Sequence, residues 1–297
     1  MSGKAARKAY FFAILAVLFW STSPTAFKLG LKYQDTYQLL AGASLASVCI
    51  LGIIILIQGK PGQLKNLTWK DLRFSALMGL LNPVAYYLIL FKAYSLLPAQ
   101  VAQPLNMVWP LVLVLISIPL LKQKIGWLSI GAMALSFTGV ILISYQGGSG
   151  AKDPGNRLGI FLALSTSVLW AIYFIYNTRD KKDPVIKLFL NFFFASVYLL
   201  IGGLLREQGL PVSSEGWLTA IYVGIFEMGI AFVFWLLAMQ YAPGTDRISN
   251  LVYIAPFLNL FIVKLVLDEN IYLTTVYGIL LLVSGILIQN MQRRHAG

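Results

Sequence analysis

Apolar stretches of about 20 residues recur ten times along this chain, separated by short polar connections. They fall at 10–31, 37–57, 72–94, 99–121 and 125–144, and again at 158–177, 185–205, 217–241, 248–267 and 271–291. A helix of about 20 apolar residues spans the hydrocarbon core of a bilayer. Lipid offers the backbone no hydrogen-bond partner, so such spans must be helical. The pattern predicts an all-α membrane protein with ten transmembrane helices.

The last five stretches echo the first five. Gly139-Val140-Ile141-Leu142-Ile143 matches Gly285-Ile286-Leu287-Ile288 at an offset of 146, where Pro110 also meets Pro256 and Ile125 meets Ile271. At an offset of 145, Gly79 meets Gly224, Ala93 meets Ala238 and Pro98 meets Pro243, while Trp20 and Trp170 lie 150 apart. The common order predicts a duplication: a first five-helix repeat at 1–146, a linker at 147–157 and a second repeat at 158–297, forming one transmembrane domain. Gly147-Gly148-Ser149-Gly150 is the flexible part of that linker. An odd number of spans turns the second copy upside down, giving two inverted-topology repeats. Many transporters share this plan, with the substrate held at mid-membrane where the halves meet. Transport is the favoured function class.

Composition agrees with a bilayer setting. Hydrophobic residues make up 58% of the chain, charged residues 11%, and the mean hydropathy is +0.76, more apolar surface than a soluble domain of 297 residues could hide. The net charge of +12 is scattered over separate connections and marks topology rather than a nucleic-acid face. If the first span leaves the cytoplasm, 16 of the 23 Lys and Arg fall on the cytoplasmic side, among them Lys60, Lys65, Lys181, Lys182, Arg293 and Arg294. The positive-inside rule then places both termini in the cytoplasm. Lys4 and Arg7 ahead of an apolar run imitate a secretory signal, but the run is too long and Trp20 and Phe27 break any cleavage-like pattern.

The lone Cys49 permits no intramolecular disulfide or thiol cluster, and the lone His295 sits in a polar tail. A histidine metal site and a Ser-His triad are thereby excluded, no phosphate-binding loop is present, and neither catalytic residues, metal nor cofactor is expected. Trp69, Trp127 and Trp217 stand at span edges, where interfacial belts form. Trp20, Trp109 and Trp170 fall near span centres, where a belt does not explain them. Either they pack the core, or they line a central cavity and offer flat faces to an apolar, aromatic or cationic ligand. Tyr86, Tyr87, Tyr173, Tyr176, Trp235 and Tyr253 extend the set. On continuous helices Tyr86 would follow Asn82 by one turn, Trp109 would share a face with Asn106, and Tyr173 with Trp170. Asn82 and Asn106 must face the interior, toward substrate or toward neighbouring helices.

Prolines at 24, 83, 104, 110, 119 and 256 interrupt spans, each removing a backbone donor and freeing a carbonyl. Pro110 and Pro256, matched across the repeat, are the hinge candidates. Glu227, near the middle of the eighth stretch, is the candidate for proton coupling or ammonium binding, since intramembrane charges are functional by default. The bland alternative is a neutral or paired Glu, with Lys92 as candidate partner. Lys264 and Asp268 have the spacing of an i,i+4 pair. So little fixed charge suits a neutral or zwitterionic solute better than an anionic one.

Four stretches carry a resemblance: Trp20-Ser21-Thr22, Asn106-Met107-Val108-Trp109-Pro110, Leu169-Trp170-Ala171-Ile172-Tyr173 followed by Asn177, and Tyr253-Ile254-Ala255-Pro256. Through them the chain resembles the drug/metabolite transporter superfamily over its whole length, in its ten-span EamA-type branch and most narrowly among aromatic amino acid exporters. The surroundings of Tyr86-Tyr87 and Lys92 depart from that pattern. The resemblance implies an exporter with a central cavity between inverted halves that accepts aromatic and other neutral amino acids. It makes Trp20, Asn106, Trp109, Trp170 and Tyr173 the leading cavity residues, to which the local reading adds Asn82, Tyr86 and Tyr253. The expected setting is a bacterial inner membrane, with a small-molecule substrate and the lipid bilayer as partners and no nucleic acid. Rival readings are an exporter of drugs, quaternary amines or purine-like metabolites, and, from another class, a membrane-embedded enzyme or a non-transporting receptor.

Overall fold

A computed structural model describes residues 3–121, 127–145, 154–206, 209–242, 248 and 250–295. The glycine-serine stretch read as a linker, 147–150, lies outside the described residues, as do Lys122, Lys124, Ile125, Pro243 and Arg247. Every regular element among the described residues is helical. Among the described residues, nine segments are long and apolar enough to cross a bilayer: Ala5–Tyr33, Thr36–Ile57, Trp69–Leu96, Ala99–Ile116, Trp127–Tyr145, Asn156–Asn177, Pro184–Leu205, Ser214–Tyr241 and Asn250–Leu267. A tenth helix, Leu273–His295, carries the apolar stretch Leu273–Gln289. We call these spans one to ten. The protein is a multi-pass membrane protein made of two five-helix repeats of inverted topology.

The repeat is visible in where helices break as well as in residue matches. Span four changes direction after Ala99–Asn106 and resumes as the helix Trp109–Leu121. Span nine opens with a 3-10 segment, Asn250–Ile254, and continues as Ala255–Leu267. Both resumed helices begin and end 146 residues apart, and the helices of spans five and ten, starting at Trp127 and Leu273, keep the same offset. Spans three and eight each pass through a π-helical segment, Leu80–Ala85 and Val223–Ile230. Pro110 and Pro256 stand second in their helices. A proline there lacks an N–H that would have had no intrahelical partner anyway. The break at Pro110 is closed from behind, because the Val108 carbonyl accepts from Leu111 N at 2.9 Å and Val112 N at 3.2 Å.

Two compact units each draw spans from both repeats: Met1–Phe91 with Tyr173–Ala255, and Lys92–Ile172 with Pro256–Gly297. In the first unit span two packs against spans seven and eight, span three against span seven, and span one against span eight. Lipid gives helices little hydrophobic reason to associate, so such contacts depend on small residues that let backbones approach. Gly79 meets the backbone of Asn191, and Gly224 meets the backbone of Ala43. These are pseudo-symmetric counterparts, since Gly79 and Gly224 are 145 apart and Ala43 and Asn191 148 apart.

Spans two and seven start alike. The Asp35 carboxylate accepts from Tyr37 N at 2.7 Å and Gln38 N at 2.8 Å, and Asp183 accepts from Val185 N at 2.9 Å and Ile186 N at 3.4 Å. An aspartate cap satisfies donors that the first turn leaves orphaned. Asp183 is also paired with Lys60 at 2.7 Å, and Lys182 bridges Asp180 at 3.0 Å and Asp71 at 3.7 Å. Burial pushes the Asp183 carboxyl up, but the Lys60 hydrogen bond and the two backbone donors outweigh it and hold the group below the usual carboxylate range. A carboxyl whose folded value is depressed stabilises the fold above its unfolded value, about 3.9, and loses that contribution as pH falls through the folded value. In detergent, the parent is therefore expected to gain thermal stability with rising pH between about pH 3 and 5. Asp183→Asn is expected to flatten that part of the curve, measured by melting at each pH.

In the second unit spans five and ten form the main contact. Gly139 lies against the Gly278 carbonyl with Leu282 N 2.6 Å from where a Cβ would sit, and Gly285 lies against the backbone of Ala132 and Ser136. Ser136 Oγ donates to the Leu282 carbonyl at 3.1 Å. The start of span four is held by Glu269, from the connection between spans nine and ten, which accepts from Ala99 N at 2.8 Å and Gln100 N at 3.3 Å.

Candidate functional site

In the first unit, span one carries a polar run, Ser21-Thr22-Ser23, at the level of Trp20. Ser23 Oγ donates to Glu227 Oε2 at 2.5 Å, and the Tyr87 hydroxyl donates to Glu227 Oε1 at 3.1 Å. Thr22 Oγ1, whose own proton goes to the Phe19 carbonyl, accepts from the Tyr222 hydroxyl at 2.7 Å. Glu227 is half-buried and belongs to none of the ion pairs found among the described residues. The carboxylate is thus held by neutral hydroxyls from spans one and three. It stands in the π-helical segment of span eight, next to Met228 and Gly229, which are buried.

Aromatic rings pack against its partner Tyr87. Tyr86 and Tyr87 meet edge to face at 4.8 Å, Tyr87 contacts Phe91 at 5.5 Å, and Phe27 contacts Phe91 at 4.9 Å. Trp20 contacts Phe232 at 5.5 Å and Trp235 at 5.3 Å, so its ring packs against span eight and stays half-buried. Tyr173 is buried and its hydroxyl accepts from Asn191 Nδ2 at 3.0 Å. Tyr253 is buried in the 3-10 segment that opens span nine. Asn82 is buried, and its Oδ1 has no hydrogen-bond partner among the described residues. The one-turn spacing from Asn82 to Tyr86 does not hold, because Asn82 adopts φ −146, ψ 114 inside the π-helical segment rather than helical angles.

In the second unit, Asn106 Nδ2 donates to Thr166 Oγ1 at 2.8 Å, and Thr166 Oγ1 donates to the Ala163 carbonyl at 2.5 Å. This bond ties span four to span six. Trp109 follows Asn106 across the helix break, so the shared face expected of a continuous helix is lost; Trp170 follows Thr166 by one turn. Both indoles are half-buried. One uninterrupted helix, Pro154–Arg179, carries Trp170 and Tyr173 together, as their spacing requires. At the edges, Trp69 and Trp127 are 73% and 88% exposed, as expected of an interfacial belt. Lys264 pairs with Asp268 at 2.8 Å as its spacing predicts.

The EamA-like transporter model matches residues 7–145 and again 157–291, one copy per repeat. The chain belongs to the EamA-like transporter family. As a member it is a transporter and not an enzyme, with a small-molecule substrate and a membrane setting. An uncharacterized transporter of Clostridium kluyveri is 27% identical over 98% of this chain and 95% of its own length. A probable terminal-alkyne amino-acid exporter of Streptantibioticus cattleyicolor is 23% identical over 84% of this chain and 82% of its own. The aromatic amino acid exporter YddG of Ancylobacter novellus is 28% identical over 59% of this chain and 61% of its own. A solved crystal structure matches 97% of this chain and 98% of its own at a TM-score of 0.68 and 22% identity, which shows the shared fold.

Within this EamA-like transporter, the hydrogen-bond partners of several candidate residues carry little signal in the sequence. Ser23, Thr166 and Asn191 partner Glu227, Asn106 and Tyr173. Asn259, fully buried in span nine, has no hydrogen-bond partner among the described residues for either side-chain atom. Their shared signal was a small polar residue far from a span edge. That signal is weak, because a Ser or Thr in a membrane helix can satisfy itself on its own backbone.

Proposed function

We propose that this protein exports aromatic and other neutral amino acids across a bacterial inner membrane by alternating access, with both termini in the cytoplasm. The observation that carries the reading is the setting of the mid-span tryptophans. Trp109 and Trp170 are half-buried on two spans that the Asn106–Thr166 bond ties together at that level. Trp170 stands one turn from the Thr166 hydroxyl, and an indole face near a polar group suits a substrate with an aromatic body and a polar end. The two amino-acid exporters among the relatives support the same substrate class. The basic residues at 60, 65, 181 and 182 support the orientation.

In this reading Trp20, Tyr86, Trp109, Trp170, Tyr173 and Tyr253 contact the side chain. Asn82 and Asn106 hold the ends of the zwitterion, and the breaks at Pro110 and Pro256 act as hinges. The repeats divide at 1–146 and 158–297, with 147–157 joining them.

The test is flux of labelled phenylalanine or tryptophan from proteoliposomes. Trp109→Ala and Trp170→Ala are each expected to raise the half-saturating concentration roughly threefold to tenfold, the loss of one aromatic contact. Parental kinetics in both variants would remove these residues from the cavity.

A further inference from the structure

Glu227 is the one carboxylate in the first unit that lies at mid-span and is bonded, among the described residues, to hydroxyls alone. A charge there is costly unless it is neutralised. The hydroxyls around it have a property that an ion pair lacks. Ser23 Oγ lies 2.5 Å from Glu227 Oε2 and 2.9 Å from the Phe19 carbonyl. A serine hydroxyl has one proton and two lone pairs, so it can serve only one of these acceptors at a time.

With Glu227 ionised, Ser23 gives its proton to the carboxylate. With Glu227 neutral, the carboxyl O–H donates to Ser23 Oγ, and Ser23 turns its own proton onto the Phe19 carbonyl. The same carbonyl also receives Thr22 Oγ1 at 2.7 Å, within the capacity of its two lone pairs. Tyr87 donates to the other carboxyl oxygen in both states. The Ser23, Thr22 and Tyr87 hydroxyls are therefore all satisfied with or without a bound proton, after no more than a rotation of the Ser23 hydroxyl.

Among the described residues, none of the ion pairs formed includes Glu227. Span three contributes Tyr87 with Tyr86 behind it, and span eight contributes Tyr222, which is bonded to Thr22. Span two brings Ala43, Ala46 and Ile50 against the glycines of the same π-helical segment. Lys28 stands on span one five residues beyond Ser23.

We propose that Glu227, positioned by Ser23 and Tyr87, carries one exchangeable proton, and that proton entry drives substrate exit. The carboxyl O–H is the sole bond formed and broken, with the proton taken from water on one face of the membrane and returned on the other. This inference rests on the amino acid export proposed above, so its test separates the two.

Proteoliposomes of the full chain would be assayed for phenylalanine counterflow, which needs no driving gradient, and for uphill flux under an imposed pH gradient. One pH unit sustains about a tenfold substrate gradient in a one-for-one exchange. The parent is expected to approach that ratio, Glu227→Gln to lose the pH-driven excess over whatever counterflow it keeps, and Glu227→Asp to retain it. Ser23→Ala is expected to shift the pH at half-maximal driven flux, and Ser23→Thr to restore it. A pH-driven excess that survives in Glu227→Gln, or a parent driven by sodium but not by pH, overturns the proposal. Absent parental counterflow overturns the substrate reading instead. In that event infrared difference spectra decide the proton site alone: a pH-dependent protonated carboxyl band in the parent that is missing from Glu227→Gln supports it, and an unchanged band sinks it.

Discussion

Gly139→Val is expected to abolish the packing of span five on span ten, while Gly131→Val, eight residues away on the same helix, leaves stability within about 0.5 kcal/mol of the parent. The contrast follows from what a new side chain would touch. At Gly131 nothing among the described residues lies within 4 Å of the added carbon; at Gly139 it would overlap the Gly278 carbonyl and approach Leu282 N to 2.6 Å. Those neighbours are backbone, so no rotamer change relieves the clash and whole helices must separate. Overpacking a tight site costs about 1–3 kcal/mol when side chains can yield, and more when they cannot. Gly285 occupies the pseudo-equivalent position against Ala132 and Ser136, so Gly285→Val is expected to fail in the same way. Thermal melts and size-exclusion profiles in detergent measure both effects. A well-folded Gly139→Val protein would show that spans five and ten do not pack as described.

Glu269→Ala is expected to cost about 1.5–3 kcal/mol, the range for hydrogen bonds to a charged group. The Glu269 carboxylate accepts from Ala99 N, Gln100 N and, at 3.4 Å, Gln100 Nε2, so one side chain satisfies the first donors of span four. The Gln100 side chain ties the same junction, donating to the Asn270 carbonyl at 2.8 Å and accepting from Tyr272 N at 3.0 Å. Negative charge is also favourable at a helix N-terminus. Glu269→Gln keeps an acceptor but loses the charge, and is expected to fall between parent and alanine in unfolding measurements. Equal stability of Glu269→Ala and the parent would mean that water caps span four equally well.

The site was only partly readable in the sequence. Glu227 stood out because a carboxylate in an apolar run is costly and therefore conspicuous. Its partner Ser23 did not, since a hydroxyl in such a run is cheap when it bonds its own helix. Asn82 and Asn106 were recognised as inward-facing amides, but their predicted faces assumed continuous α-helices. The π-helical segment at Leu80–Ala85 and the break after Asn106 change those faces, and neither irregularity alters hydrophobic periodicity enough to be seen. Pro110 and Pro256 announced a break without revealing that each stands at a helix start, where proline sacrifices no hydrogen bond.

What the sequence by itself determined is the number of spans, their helical nature and the doubling of the chain. Bilayer thickness and the lack of hydrogen-bonding solvent in lipid leave an apolar run of that length no other structure. Tertiary structure alone decided that each compact unit takes spans from both repeats, that Gly79 and Gly224 meet backbone, and that Glu227 rests on Ser23 and Tyr87. Those contacts join residues up to 204 positions apart. Inside a membrane the spans are predominantly apolar on all sides, so hydrophobicity alone cannot say which faces meet. Small residues and hydroxyls make that choice, and they act only once the helices are close enough to touch.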